Sequence, residues 1–220
     1  MKKCLITGTT GFVGSNLKKF LLKKKYKVFG LNRRKTNDLN DYVFENMNSG
    51  IRLNNIFKNI DAIIHCAAIA HDLKFFSKNK KIIDNVNVHL TDKIIDECIK
   101  FKIKKFIYIS SAKVIGEVTT QSNQFNERTK ENPQDLYSIS KYRAENLLKI
   151  KCKKFNINLI IIRPPLIYGP GVKANFYNLM KYINKGYPLP FLGVKNKRSL
   201  ISCDNLNSFI GSSKQNLLAD

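Results

Sequence analysis

At 220 residues, 43% apolar and 25% charged, the chain can bury one large α/β core and is no disulfide- or metal-stapled mini-protein. Its net charge of +23 would suit a polyanion, but the lysines are scattered among asparagines and isoleucines, so a solvated cationic surface is expected and a nucleic-acid partner is not. Five cysteines, odd in number and far apart, exclude paired metal-ligand spacing and a closed disulfide framework, which points to a reducing cytoplasm.

Met1-Lys2-Lys3 imitates the basic start of a signal peptide, yet the apolar stretch after it breaks at Thr7-Gly8. No other run approaches the roughly 20 apolar residues of a membrane span. Cys4-Leu5-Ile6 reads as a short buried strand, and Phe12, Val13, Leu17, Phe20 and Leu21 recur at helical spacing. Between them lies Thr7-Gly8-Thr9-Thr10-Gly11-Phe12-Val13-Gly14. Gly8 suits a tight turn, Gly11 a close approach of backbone to a pyrophosphate, and Gly14 close packing of helix on strand, with phosphates facing the free N–H groups of the helix start. A dinucleotide site is expected there.

Lys27-Val28-Phe29-Gly30-Leu31 predicts a second strand, making a right-handed βαβ unit from Lys3 to Asn32. Where an acidic residue usually holds the adenosine ribose of NAD, the chain has Asn32-Arg33-Arg34. Without the carboxylate a 2′-phosphate is not repelled, and the arginines could pair with one, so NAD and NADP both stay open. Tyr42 to Glu45 reads as a third strand, followed by a short helix from about Ile51 to Phe57. Asp61 to Ala68 reads as a fully buried strand. His65 within it is expected to be a satisfied core residue, and His71 and His89 likewise have no ligand role; no metal site is expected.

Lys81 to Phe101 is helical in pattern, Lys105 to Ser111 a strand, Ala112 to Asp135 an ordered active-site loop, Leu136 to about Phe155 an amphipathic helix, and Ile157 to Ile162 another buried strand broken by Arg163-Pro164-Pro165. This alternation predicts an α/β fold with a doubly wound parallel sheet, a Rossmann fold, over residues 1–163. Residues 164–220 then form a small, partial substrate lobe interleaved with the last strand.

Tyr137 and Lys141 are four apart and share a helix face, while Ser111 ends a strand where α/β ligands collect. A phenol with a pKa near ~10 must be lowered by about 3 units to work as a base near neutrality. An ammonium about 5 Å away supplies approximately 3 kcal/mol of that at an effective dielectric of ~20. Ser111 would hydrogen-bond the reacting oxygen while Tyr137 moves its proton, as hydride moves to or from the cofactor.

The glycine turn, Cys66-Ala67-Ala68, Asn87, Ser110-Ser111, Tyr137-Ser138-Ile139-Ser140-Lys141 and Arg163-Pro164 together resemble the extended short-chain dehydrogenase/reductase family, in its NAD-dependent epimerase/dehydratase branch. Ser111 to Glu117, Arg163 to Lys173 and Lys197 to Leu200 are similar to bacterial UDP-N-acetylglucosamine 4-epimerases and UDP-sugar 4-ketoreductases of surface-polysaccharide pathways. The resemblance implies that Gly8, Gly11, Phe12, Val13 and Gly14 hold the cofactor pyrophosphate, that Asn32 and Arg33 meet the adenosine ribose, and that Ala67, Ala68, Asn87, Tyr137, Lys141 and Pro164 line its path. It implies substrate contacts from Ser111, Lys113, Asn175 and Arg198, a UDP-sugar substrate, and leaves a homodimer open.

Nucleotide-sugar 4,6-dehydratases of the branch carry Asp-Glu directly after the catalytic Ser/Thr, whereas this chain has Ala112-Lys113, which speaks against dehydration. Epimerisation at C4 through a 4-keto sugar is therefore expected, with an NADP-dependent 4-ketoreductase as the alternative. Family members run well past Arg198-Ser199-Leu200, whereas this sequence stops at Asp220, so a catalytically silent cofactor-binding fragment is the third reading.

Overall fold

The computed structural model describes residues 1–43, 54–70, 80–119, 124–126, 128–172, 174–189 and 197–211. β1 (Lys3–Thr7), β2 (Lys27–Asn32), β3 (Asp41–Val43), β4 (Ala62–His65), β5 (Lys105–Ile109) and β6 (Asn158–Ile162) form one parallel sheet of six strands, in the order β3-β2-β1-β4-β5-β6. Parallel pairing needs a crossover between strands; β2 and β3 are joined by the helix-free segment 33–40, and the other connections carry α1 (Phe12–Lys23), α2 (Asn54–Phe57), α3 (Lys80–Asp84), α4 (Leu90–Lys100) and α5 (Leu136–Lys154). The order reverses between β1 and β4, so the carboxyl ends of those strands open a crevice there.

The sheet is covered on both faces, as its run of apolar residues requires. Leu5, Ile63, Phe106 and Tyr108 pack on one side with Ile94, Ile95 and Leu148. Cys4, Ile6, Ile64 and Ile107 pack on the other with Leu17 and Leu21. The strand expected over Ile157 to Ile162 is present but not buried: β6 is the edge strand and its residues are exposed or half-buried. An apolar edge strand reads like a central one, because periodicity does not report a missing neighbour.

The helical stretch after Lys80 also departs from the simple pattern, since Asn85–His89 forms a π-turn between α3 and α4. The predicted third strand is realised over Asp41–Val43. Phe44 and Glu45, the first three residues of the helix expected from Ile51, and His71 lie outside the described residues.

Beyond the sheet, β7 (Leu166–Tyr168) and β8 (Leu200–Ser202) pair in parallel, with α6 (Ala174–Asn184) between them in the chain. α7 (Cys203–Gly211) follows β8 and places Leu206 and Ile210 in the same cluster as Leu17 and Leu21 of α1. No helix among the described residues is long and apolar enough to cross a membrane.

Candidate functional site

The β1–α1 turn is built by steric necessity. Gly8 has φ +77°, and a Cβ there would stand 2.9 Å from the Cα of Ala67, so only glycine lets this turn close onto the end of β4. A Cβ on Gly14 would lie 2.3 Å from the carbonyl oxygen of Gly8, so the first turn of α1 presses directly on the loop. The Ala67 N–H donates to Thr7 Oγ1 at 3.1 Å, tying the Cys66-Ala67-Ala68 segment to the same turn.

Gly11 at the helix start supplies no side-chain cap, and the first turn of α1 carries no acid. Phe12, Val13 and Gly14 at positions N1 to N3 thus present backbone N–H groups without intrahelical partners. Together with the positive end of the helix, these fit a pyrophosphate.

At the end of β2 the structure turns Asn32 inward. Its Oδ1 accepts from Thr9 Oγ1 and the Thr10 N–H, and its Nδ2 donates to Thr9 Oγ1 at 2.7 Å and to Asp41 Oδ2 at 3.2 Å. Asp41 in turn pairs with Lys18. Asn32 is buried in this network, whereas Arg33 and Arg34 are exposed. The asparagine braces the glycine turn, and the exposed arginines carry positive charge at the strand end.

Asn87 is likewise a brace. It accepts from the Ile69 N–H at 2.8 Å and donates to Ile69 O and to Ser140 Oγ at 2.9 Å, tying the segment after Ala68 to α5. The π-turn places it there, and π-turns are frequent at functional sites. His65 is fully buried between Thr7 Oγ1 at 2.7 Å and Thr91 Oγ1 at 2.9 Å, the satisfied core residue expected from its strand position.

Ser111 and Tyr137 meet. Ser111 stands beyond β5 at the start of a 3₁₀ turn, its Oγ accepting from the Lys113 N–H at 3.2 Å. Tyr137 lies in the first turn of α5, which starts cleanly because Asp135 and Ser138 form a reciprocal capping box. The Ser111 hydroxyl lies near enough to the Tyr137 phenol to favour its ionised form. Burial pushes the Tyr137 phenol up to about 12; the Ser111 contact and the Lys113 charge oppose this, while the Asp135 carboxylate reinforces it. Lys113 Nζ is itself held by Asp135 at 2.6 Å and Glu117 at 2.8 Å.

Lys141, one turn after Tyr137 on α5, is fully buried, donates to the Ile109 carbonyl at 2.6 Å, and lies 4.1 Å over the Tyr108 ring. Burial lowers it to about 7, against weaker support from Cys66 and Glu145. The Lys113 charge also opposes the rise at Tyr137. The spacing of four carries Lys141 one turn beyond Tyr137, where its ammonium meets the last carbonyl of β5.

Residues 4–208 match the NAD dependent epimerase/dehydratase family. The chain belongs to that family.

Among relatives, it is 40% identical to UDP-glucose 4-epimerase of Vibrio cholerae, over 95% of this chain and 65% of that protein. It is 32% identical to dTDP-D-glucose 4,6-dehydratase of Dictyostelium discoideum, over 94% of this chain and 54% of that one. The chain thus spans a little more than half to about two-thirds of these relatives' length. A solved UDP-glucuronic acid 4-epimerase from Bacillus cereus in complex with NAD superposes with a TM-score of 0.71 at 27% identity, over 85% of this chain and 65% of that one.

The remaining predicted residues are dispersed. Pro164 is buried and its carbonyl accepts from the Ala112 N–H at 3.0 Å, fastening the Ser111 loop to the end of β6. Asn175 falls in α6, with its side chain outside the described residues, and Arg198 is exposed two residues before β8. Missing from the sequence reading is Glu145, fully buried and bonded to both Ser110 and Arg163. Its spacing was the available signal, since Glu145 follows Lys141 by four residues and so continues the same helix face.

Proposed function

We propose that the chain is the cofactor-binding and proton-transfer part of an NAD-dependent nucleotide-sugar 4-epimerase acting on a UDP-hexose or UDP-N-acetylhexosamine. The observation that carries the reading is the Ser111 hydroxyl beside the Tyr137 phenol, at the carboxyl end of the same sheet as a glycine cradle with an uncapped helix start. The Vibrio cholerae relative supports the UDP-sugar class. Residues 1–163 form the dinucleotide half and 164–220 the start of the substrate lobe. The free thiols of all five cysteines accord with work in the cytoplasm.

Gly8, Gly11 and the N–H groups of Phe12, Val13 and Gly14 would hold the pyrophosphate, Ala67 and Ala68 would flank it, and Lys141 would meet the nicotinamide ribose. Bound there, the nicotinamide supplies the hydride acceptor and donor for C4 of the sugar. Tyr137 takes the proton of the C4 hydroxyl and returns it to the carbonyl oxygen of the 4-keto sugar. Ser111 holds that oxygen through both directions. With its phenol at about 12, Tyr137 rests in the protonated form, ready to donate, and the base direction requires added positive charge. Lys113, 43% exposed at the mouth of the pair, and Arg198 would meet the diphosphate, with Asn175 beside them.

The dehydratase relative does not change this reading, because the two positions after Ser111 are Ala112 and Lys113 and offer no carboxyl pair for water loss. Incubation of purified protein with UDP-GlcNAc and with UDP-glucose, without added reductant, is expected to yield the C4 epimer with no net change in nicotinamide absorbance. No epimer from either sugar defeats the proposal. A 4-ketoreductase using NADP is favoured by one observation, the exposed Arg33 and Arg34 beside an inward-turned Asn32. It predicts stoichiometric NADPH oxidation by a UDP-4-ketosugar instead.

A further inference from the structure

Behind the Ser111–Tyr137 pair lies a second polar cluster that the reaction does not touch directly. Glu145 is fully buried on α5, eight residues after Tyr137 and four after Lys141. Ser110 Oγ donates to Glu145 Oε1 at 2.5 Å. Arg163, at the end of β6, grips the same carboxylate with two bonds: Nε to Oε1 at 3.0 Å and Nη2 to Oε2 at 2.6 Å. Arg163 Nη2 also reaches Glu131 at 2.7 Å, in the loop that leads into α5. The backbone runs alongside: the Ser110 N–H donates to Ile162 O at 2.7 Å, and the Asn132 N–H to Val114 O at 3.0 Å.

A buried carboxylate costs several kcal/mol of desolvation unless it is paired and fully hydrogen-bonded, and an apolar substitute would be as stable or more so. Stability alone therefore does not account for this cluster, whereas its placement does. Glu145 is rigidly spaced from Tyr137 and Lys141 by one helix, and its Ser110 partner is the immediate neighbour of Ser111. The bidentate guanidinium fixes the carboxylate plane, and with it the separation of helix and strand end.

We propose that the Ser110–Glu145–Arg163 cluster is a positioning device for the reaction, a buried clasp through which Glu145 sets the distance and angle between Ser111 and Tyr137. The inference rests on the proton-transfer roles given above. Glu145 also acts on Lys141, which is faced by His65 and Cys66 from β4 and its end, by Tyr108 from β5, and by Glu145 on its own helix. Of these, Glu145 is the carboxylate and supports the ammonium.

The test compares Ser110→Ala, Ser110→Thr and Glu145→Gln with the wild-type full chain. The expected result for Ser110→Ala and Glu145→Gln is a fall in kcat of roughly tenfold or more with KM for the sugar nucleotide within about threefold, since small displacements of reacting groups act on the rate. Ser110→Thr, which keeps the hydroxyl, restores kcat. Lowered melting temperature with kcat within about twofold of wild type overturns the proposal.

A second measurement needs no turnover. In protein labelled with ¹³C at the lysine Cε, the Lys141 signal is identified by its loss in Lys141→Arg. Glu145→Gln is expected to lower its titration midpoint by at least about half a pH unit. If wild-type protein turns over no UDP-sugar, the functional reading fails separately. The clasp is then judged on this midpoint, and an unchanged value in Glu145→Gln overturns it.

Discussion

The Lys141 ammonium nitrogen donates to the Ile109 carbonyl at 2.6 Å, in a fully buried site that lowers its pKa from 10.5 to about 7. Below pH 7 the folded state must carry a buried charge, whereas between about 7 and 10.5 the unfolded chain binds the extra proton. Stability contributed through this group is therefore poorest in acid and rises with pH across that window. Lys141→Met removes the penalty, at most about 5 kcal/mol in acid, and leaves the Ile109 carbonyl unpaired as a partial offset. Thermal melts should show the variant a few degrees more stable at pH 6 and the advantage shrinking toward pH 10, while turnover is lost.

His65 adds a second pH dependence at lower values. Burial, reinforced by the Lys141 charge, lowers it to about 3, so between pH 6.5 and 3 the unfolded state takes up a proton that the folded state refuses. Stability present above pH 6.5 is lost as pH falls through that range. His65→Gln keeps polar contact with Thr7 and Thr91 but does not titrate. Denaturant melts from pH 7 to 4 should show a shallower decline for the variant than for the wild type.

Gly14→Ala tests the cradle. Its methyl would meet the Gly8 carbonyl oxygen at 2.3 Å, backbone against backbone, where no rotamer change relieves the clash. The expected cost is about 1–3 kcal/mol by denaturant titration. Dinucleotide affinity, read by calorimetry, should fall by more than tenfold, because α1 must retreat from the loop.

Arg33 is exposed at the end of β2, whereas Asn32 is buried with its amide spent on Thr9 and Asp41. Any 2′-phosphate selectivity at this strand end therefore rests on the arginines. Arg33→Ala should weaken binding of NADP about fivefold or more and leave NAD nearly unchanged, by the loss of one guanidinium–phosphate pair. Equal effects on both cofactors in parallel titrations would remove Arg33 from the 2′-phosphate.

The glycine turn and the serine–tyrosine pair were legible because each is local: a strand, a turn and a helix contiguous in the chain, or two residues at element ends. The lysine's partner was not, because which carbonyl lies beneath a helix face depends on how α5 crosses β5. Asn32 and Asn87 each direct the amide to protein groups, a bracing role the sequence did not disclose because it cannot tell an inward amide from an outward one. Glu145 escaped for a related reason: a charged residue on an amphipathic helix reads as solvent-facing until its arginine partner arrives from β6.

α7 closes over the back of α1, where Leu206 and Ile210 complete the apolar layer of Leu17 and Leu21, and a Cβ on Gly211 would stand 2.7 Å from the Phe20 ring. The helix whose first turn shapes the phosphate cradle is thus sealed by a segment nearly two hundred residues downstream. This long-range closure makes α1 and α7 one packing unit, so displacing α7 is expected to lower the exchange protection of the α1 amides.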